Sequence, residues 1–349
     1  MARNDEKKEI QHYVPRMLLR NFAHKQKSKQ EKIHVFDKRD GRSFFTGVGN
    51  IVAERSFYDI DFGDRKASFE PSLSELEEHA NGVIQNLLVN KNLADLKGEE
   101  KTWLGLFVAC QMLRTKNFRE MIKENTNQLF EKVKRMSEKE VHEIKGLPSF
   151  KDEKELQNFA TYFMIDNVEE FSSRLFSKDW VLLETKINDP FLLGDNPVTL
   201  HNSNKFGVFG NLGLALKGIQ IHLPLAPTLT LAMWCPSIIE KMYEGQKTML
   251  RQKQDLLVER AMNPNSNYFE IDEILKKVDE QIKKTAKTLS LLETNRLLPS
   301  TSDNVLFYNS LQIQWADRYM LSFSKDFSLV KRMIKDSTNN KRGIRFNMG

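Results

Sequence analysis

Cysteine is scarce in this chain of 349 residues: the two present, Cys110 and Cys235, stand far apart without a partnered spacing. Neither a disulfide framework nor a CxxC metal site can be built from them, and both are expected to be small buried hydrophobes. Long apolar runs are also missing. The most apolar helix candidate, Trp103 to Leu113, meets charge at Arg114 and falls short of the ~20 residues a bilayer span needs. Residues Met1 to Glu9 are polar and charged, without the apolar core of a secretory signal, so a cytoplasmic protein is expected. P-loop, GxGxxG, GxSxG and HExxH patterns are absent too. That weakens nucleotide-hydrolase, dinucleotide and serine-hydrolase readings and leaves no tight metal motif.

What is there suits a folded protein: 40% of residues are hydrophobic and 29% charged. The net charge of +6 is compatible with an anionic partner, yet modest for this length. Its clearest asymmetry is C-terminal, where Lys331, Arg332, Lys335, Lys341, Arg342 and Arg345 face only Asp336. A solvated, flexible basic tail over 331–349 is expected, in preference to a phosphate-binding arm.

Hydrophobic spacing predicts α+β architecture, with a central helical block and an antiparallel sheet built from N-terminal and middle strands. Lys32 to Asp37 alternates as a strand, Lys38 to Gly41 supplies a turn, and Phe44 and Phe45 continue a hairpin. Asn50 is positioned to cap a short helix over Ile51 to Arg55. Leu73, Leu76, Ala80, Val83, Ile84, Leu87 and Leu88 mark one face of a long helix. A second helix is expected from Glu99 toward Met136 and a third over Glu153 to Leu175. Strands follow at Trp180 to Ile187, Phe191 to Leu193, Ile219 to Leu225 and Thr228 to Trp234, with a long loop over His201 to Gly218. Helices return from Pro236 to Asn295, broken at Asn263 to Asn267, and Val305 onward reads as a helix followed by a strand at Tyr319 to Ser324. With no clean linker in sight, residues 1–330 are expected to form one interlaced domain.

Several blocks together carry a family pattern. These are Gln11-His12-Tyr13-Val14-Pro15-Arg16, Leu19-Arg20-Asn21-Phe22, Ala53-Glu54-Arg55, Leu76-Glu77, Gln111-Met112-Leu113-Arg114-Thr115, Gly194-Asp195-Asn196-Pro197-Val198 and Ala316-Asp317-Arg318-Tyr319. On them the chain resembles the uncharacterised bacterial HYVP-motif family, DUF4238. The resemblance covers most of the chain and implies no settled activity, although similar proteins are encoded among anti-phage defence genes. Arg16 departs from the polar residue, often Gln, that many similar sequences carry after the proline.

The polar residues of these blocks are the candidates for chemistry. His12 offers an imidazole usable at neutral pH, beside a proline that stiffens the following turn; equally, it could lock the N-terminus onto the fold. Asp195 and Asn196 sit where a strand ends, placed either to face a cleft or to form an Asx turn with Pro197. Glu77 lies beside the inner face of its helix, while Gln111 and Arg114 are helical neighbours, so Glu77 and Arg114 could form a buried ion pair. An enzymatic reading makes His12, Glu77 and Asp195 catalytic. Arg114, Gln111 and Asn196 would then bind substrate, and His12, Glu54, Glu77 and Asp195 would ligate Mg²⁺ or Mn²⁺ for cleavage of RNA or DNA phosphodiesters. The alternative is a non-catalytic binding or sensor module that recognises a phage component or host partner, its polar motifs holding the fold together.

Overall fold

A computed structural model describes residues 10–25, 30–55, 57–61, 66–133, 153–204, 206, 211–262 and 268–345. Strand β1 (Ile10–His12) leads into helix α1 (Arg16–Asn21), followed by strands β2 (His24–Lys25), β3 (Glu31–Asp37), β4 (Ser43–Gly47), β5 (Ala53–Arg55), β6 (Asp59–Asp61) and β7 (Lys66–Ser68). Helices α2 (Glu70–Asn90), α3 (Gly98–Leu113), α4 (Lys116–Val133) and α5 (Glu153–Phe176) come next. Then come strands β8 (Asp179–Glu184), β9 (Leu193–Gly194), β10 (Thr199–His201), β11 (Gln220–Ala226) and β12 (Leu229–Trp234). Helices α6 (Pro236–Met262) and α7 (Tyr268–Thr294), strand β13 (Leu297–Pro299), helix α8 (Ser302–Trp315), strand β14 (Tyr319–Ser322) and helix α9 (Ser328–Asp336) close the chain. The fold is α+β, as expected. Among the described residues no helix is long and apolar enough to cross a membrane.

The central sheet runs β10-β11-β12-β8-β13 and is antiparallel except that β13 lies parallel to β8. Its strands are apolar almost throughout because both faces are covered. Leu182, Ile221, Leu223, Leu231 and Met233 enter the large core with α1, α2 and α3, and Val181, Leu183 and Ala232 meet Leu289 and Leu292 of α7 and Val305 of α8. Each fully buried leucine contributes roughly 1.5–3 kcal/mol. A second sheet, β2-β3-β14-β9 with β4 beside β3, includes the hairpin read from the sequence. Helix α2 buries Leu73, Ala80, Val83, Ile84 and Leu87, the face its spacing marked out.

Helix α7 places Ile271, Leu275, Val278, Ile282, Thr285, Leu289 and Leu292 at alternating steps of four and three, and Ile271, Leu275, Leu289 and Leu292 are buried. That heptad seam joins α7 to α6 as an antiparallel helical hairpin. The break expected between them, Asn263 to Asn267, lies outside the described residues.

Three expectations fail for tertiary reasons. Residues 51–55 are not helical: Val52 takes a left-handed backbone (φ 51°), and Ala53–Arg55 pairs antiparallel with Ile10–His12. The Val52 carbonyl accepts from the Tyr13 N–H at 3.1 Å, so strand pairing overrides the local cap signal at Asn50. The helix expected to run on toward Met136 breaks at Arg114 and Thr115, where the Thr115 hydroxyl accepts the Phe118 N–H at 3.3 Å and starts α4 as a capping residue. Residues 134–136 are not described.

The basic C-terminal stretch is docked from 331 to 345. Val330 of α9 is fully buried in a cluster with Phe36, Ile313 and Met320, while Leu329, Met333 and Ile334 pack against it. Beyond the helix, Arg345 pairs with Asp317 at 2.8 Å. The apolar side of α9 and a buried carboxylate hold this stretch down, and positive charge alone did not reveal either. Residues 346–349 lie outside the described residues.

Candidate functional site

The polar motif residues gather around the break between α3 and α4, and three consecutive residues there reach four different partners. Arg114 donates from Nη1 to Glu77 Oε1 at 2.7 Å and from Nε to Gln111 Oε1 at 2.8 Å. Thr115 donates from its hydroxyl to Asn196 Oδ1 at 3.0 Å. Lys116 pairs with Glu54.

Gln111 passes the first connection onward, donating from Nε2 to the Tyr13 carbonyl at 2.8 Å. The residue before His12 has a similar duty. Gln11 is 2% exposed; it accepts the Tyr58 N–H at 2.6 Å and donates to Asp59 Oδ1 at 2.9 Å. The motif at Gln11 to Pro15 thus stitches β1 to the 57–59 segment and to α3. Side-chain amides suit this work because each supplies a donor and an acceptor to backbone groups that lack a strand partner.

Asp195 is 3% exposed, and its carboxylate accepts three backbone N–H groups. Oδ1 takes that of Asp317 at 2.7 Å; Oδ2 takes those of Arg318 and Tyr319, both at 2.9 Å. These are the amides of the turn from α8 into β14. Burial, reinforced by the neighbouring Asp317, pushes the Asp195 carboxyl up to about 6. The other side of the same turn is held by Lys38, fully buried, whose Nζ donates to the carbonyls of Ile313 at 2.6 Å and Ala316 at 2.5 Å. A cation on the last carbonyls of α8 complements the helix dipole. Burial lowers the Lys38 ammonium to about 8. Sequence reasoning missed Lys38: in Lys38-Arg39-Asp40-Gly41 it read only as turn chemistry.

Asn196 donates to the Trp315 carbonyl at 3.2 Å. Two more α8 amides clamp the same segment: Asn309 accepts the Leu192 N–H at 2.7 Å, and Gln312 accepts the Gly194 N–H and donates to the Pro197 carbonyl, both at 2.8 Å. Gly194 is needed here, since a Cβ would stand 3.0 Å from the Ala316 Cβ and 3.2 Å from the Gln312 carbonyl oxygen.

The metal set proposed from the sequence is not assembled. Glu77 is paired with Arg114, Glu54 with Lys116, and Asp195 accepts three backbone donors. Among the described residues no group of three or more His, Cys, Asp and Glu side chains could hold a metal ion. His12 is half-buried; its pKa is lowered first by burial and then by the Arg16 and Arg114 charges, against backbone hydrogen bonds at Val48 and Gly49. Its Nε2 and the Nη2 of Arg114 are buried without a hydrogen-bond partner.

Of the six residues expected to be catalytic or to bind substrate, Arg114 borders a small crevice with Tyr58, Arg119 and Met164, and Asn196 lines a larger apolar cavity. That cavity, of about 240 Å³, lies between the α3–α4 break, Phe171 of α5, the strand segment at Val198 and Leu200, the loop at Leu212 to Leu214, and Trp315. Its walls are mainly apolar, and the polar exceptions, Thr115, Asn117 and Asn196, carry no formal charge. Beside it lies a charged cleft of about 500 Å³ between Arg39, Lys116, Glu124, Asp317 and the 338–345 segment. Asn117 separates the two, facing the cavity while its Oδ1 accepts from Arg345 of the cleft.

No curated protein and no solved structure matches the chain. A family model described as a protein of unknown function, DUF4238, matches residues 10–326, which span every motif above, and the chain belongs to that family.

Proposed function

We propose that this protein is a non-catalytic binding module whose apolar cavity receives one large side chain, aromatic or aliphatic, of a phage or host protein. One observation carries the reading: each acidic residue expected to do chemistry is already engaged within the fold. Asp195 accepts three backbone N–H groups, and Glu77 and Glu54 hold cations. A general base or metal ligand needs a lone pair free to reach a substrate, and each of these carboxylates already has at least one oxygen committed to a partner within the fold. The cavity supports the choice of ligand. At about 240 Å³ it is smaller than the ~300–1,000 Å³ typical of drug-sized sites, and it suits the buried anchor residue on which protein interfaces concentrate their affinity.

The test has two arms. Purified protein incubated with RNA and DNA in Mg²⁺ or Mn²⁺ should leave both intact. Cleavage that disappears in folded His12→Ala protein would restore the nuclease reading. In the second arm N-acetyl-tryptophanamide, a stand-in for an anchor side chain, is followed by saturation-transfer NMR. Saturable binding lost on Leu214→Asp, a half-buried loop substitution at the cavity wall, is expected; no binding, or binding indifferent to that change, counts against the cavity as receptor.

A further inference from the structure

We propose that the charged cleft beside the cavity is a binding site for the phosphate group of a small phosphorylated molecule. Five cationic side chains line it, Arg39, Lys116, Lys341, Arg342 and Arg345, against three acidic ones, Glu120, Glu124 and Asp317, which leaves a net of two positive charges. The cations come from three separate parts of the chain: the turn after β3, the first residue of α4, and the segment beyond α9. The fold therefore collects positive charge here from stretches that have no sequence reason to meet.

The acids inside the cleft organise the cations. Asp317, 1% exposed, has one oxygen on Arg39 at 2.7 Å and the other on Arg345 at 2.8 Å. Glu124 takes Arg345 Nε at 3.2 Å. A guanidinium has five N–H donors in a planar fork. Arg39, half-exposed, spends only Nη2 on Asp317 and keeps further donors, whereas Arg345 also donates to Asn117 and the Ile344 carbonyl and serves mainly to anchor the stretch of chain that carries Lys341 and Arg342. Arg342 reaches Glu124 only at 3.9 Å, outside hydrogen-bond range, and its side chain is 60% exposed. Lys341 is exposed and forms no ion pair among the described residues. Arg39 held at the base with donors to spare, and the loosely held Arg342 and exposed Lys341 at the rim, match what a phosphate dianion requires: charge, and several donors arranged in advance.

Shape and charge spacing select the size of the ligand. A space of about 500 Å³ exceeds what a lone inorganic ion needs and is ample for a phosphate ester carrying an organic part. The three carboxylates interleaved with the cations would repel a continuous polyanion, so a compact ligand is favoured over a nucleic-acid strand. This inference does not depend on what enters the neighbouring apolar cavity. The two can fail separately, because the residues tested here do not line that cavity.

Calorimetric titration of the full chain with pyrophosphate decides the matter, with orthophosphate, ADP and a single-stranded RNA oligomer as parallel arms. The variants are Lys341→Glu and Arg342→Glu, and Lys287→Glu on the exposed part of α7 controls for overall charge. Saturable pyrophosphate or ADP binding that weakens about tenfold in each cleft variant, and less than about twofold in the control, is expected. Unchanged melting temperatures would show that the losses are not unfolding. The proposal is overturned by absence of saturable binding, by equal losses in Lys287→Glu, or by an oligomer that binds more tightly than pyrophosphate and is weakened by the same variants.

Discussion

Asp195, a catalytic candidate by its place at a strand end, is held in three dimensions by three backbone donors. It replaces a strand partner for the turn at 317–319, since no backbone carbonyl could accept three successive N–H groups at once. Asp195→Ala should cost about 3–5 kcal/mol in urea unfolding, the scale for stranding several buried donors. A loss under about 1 kcal/mol would show that the turn holds itself. His222 is the opposite case. It is 2% exposed on β11, its ring 4.8 Å from that of Tyr308, and both ring nitrogens lack a hydrogen-bond partner. Burial, with a smaller push from His201, depresses its pKa to about 3. His222→Leu should therefore be neutral or stabilising at pH 7. It should gain a further ~2 kcal/mol over the wild type by pH 5, where the unfolded histidine is protonated and the folded one is not. Chemical unfolding at the two pH values gives the comparison, and a variant destabilised at both would mean that the ring has a binding duty.

At the scale of elements, the segment from 338 to 345 is where the structure adds most to the sequence. Gly343 packs so closely that a Cβ there would lie 2.8 Å from the Trp315 carbonyl oxygen and against the Asn117 side chain. Gly343→Ala should lift the strap, cost about 1–3 kcal/mol as overpacking does, and speed amide exchange over 338–345 while leaving α2 protected. Unaltered exchange in the strap would contradict this close packing. Elements whose apolar faces repeat were legible beforehand: α2 through its buried stripe, the β3–β4 hairpin through alternation and a turn. The break after α3 was legible only in hindsight, as a threonine three residues before Phe118, because Arg114 and Thr115 carry no strong helix-breaking chemistry. The strand at 53–55 was misread because its conformation is set by β1, more than forty residues earlier in the chain.

For the whole molecule, acid sensitivity follows from histidine placement. Four of the seven histidines, His12, His34, His201 and His222, have pKa values below the ordinary one, with burial the first cause each time. A histidine depressed in the fold binds its proton later than in the unfolded chain, so stability is present above the unfolded pKa of about 6.5 and is lost as pH falls below it. Asp195, raised to about 6, acts in the opposite sense below that value. Melting temperature should fall from pH 7 to pH 5, and a rise would mean that Asp195 outweighs the histidines. The sequence by itself determined the α+β class, the long helices, the middle strands and the membership of DUF4238, because periodicity, turn chemistry and motif identity are local properties. Only the tertiary structure decided what the motif residues touch. Whether Asp195, Glu77 or Glu54 has a free lone pair depends on which donors the fold brings to it, and Lys38, Arg345 and the 317–319 amides come from parts of the chain that sequence spacing does not relate.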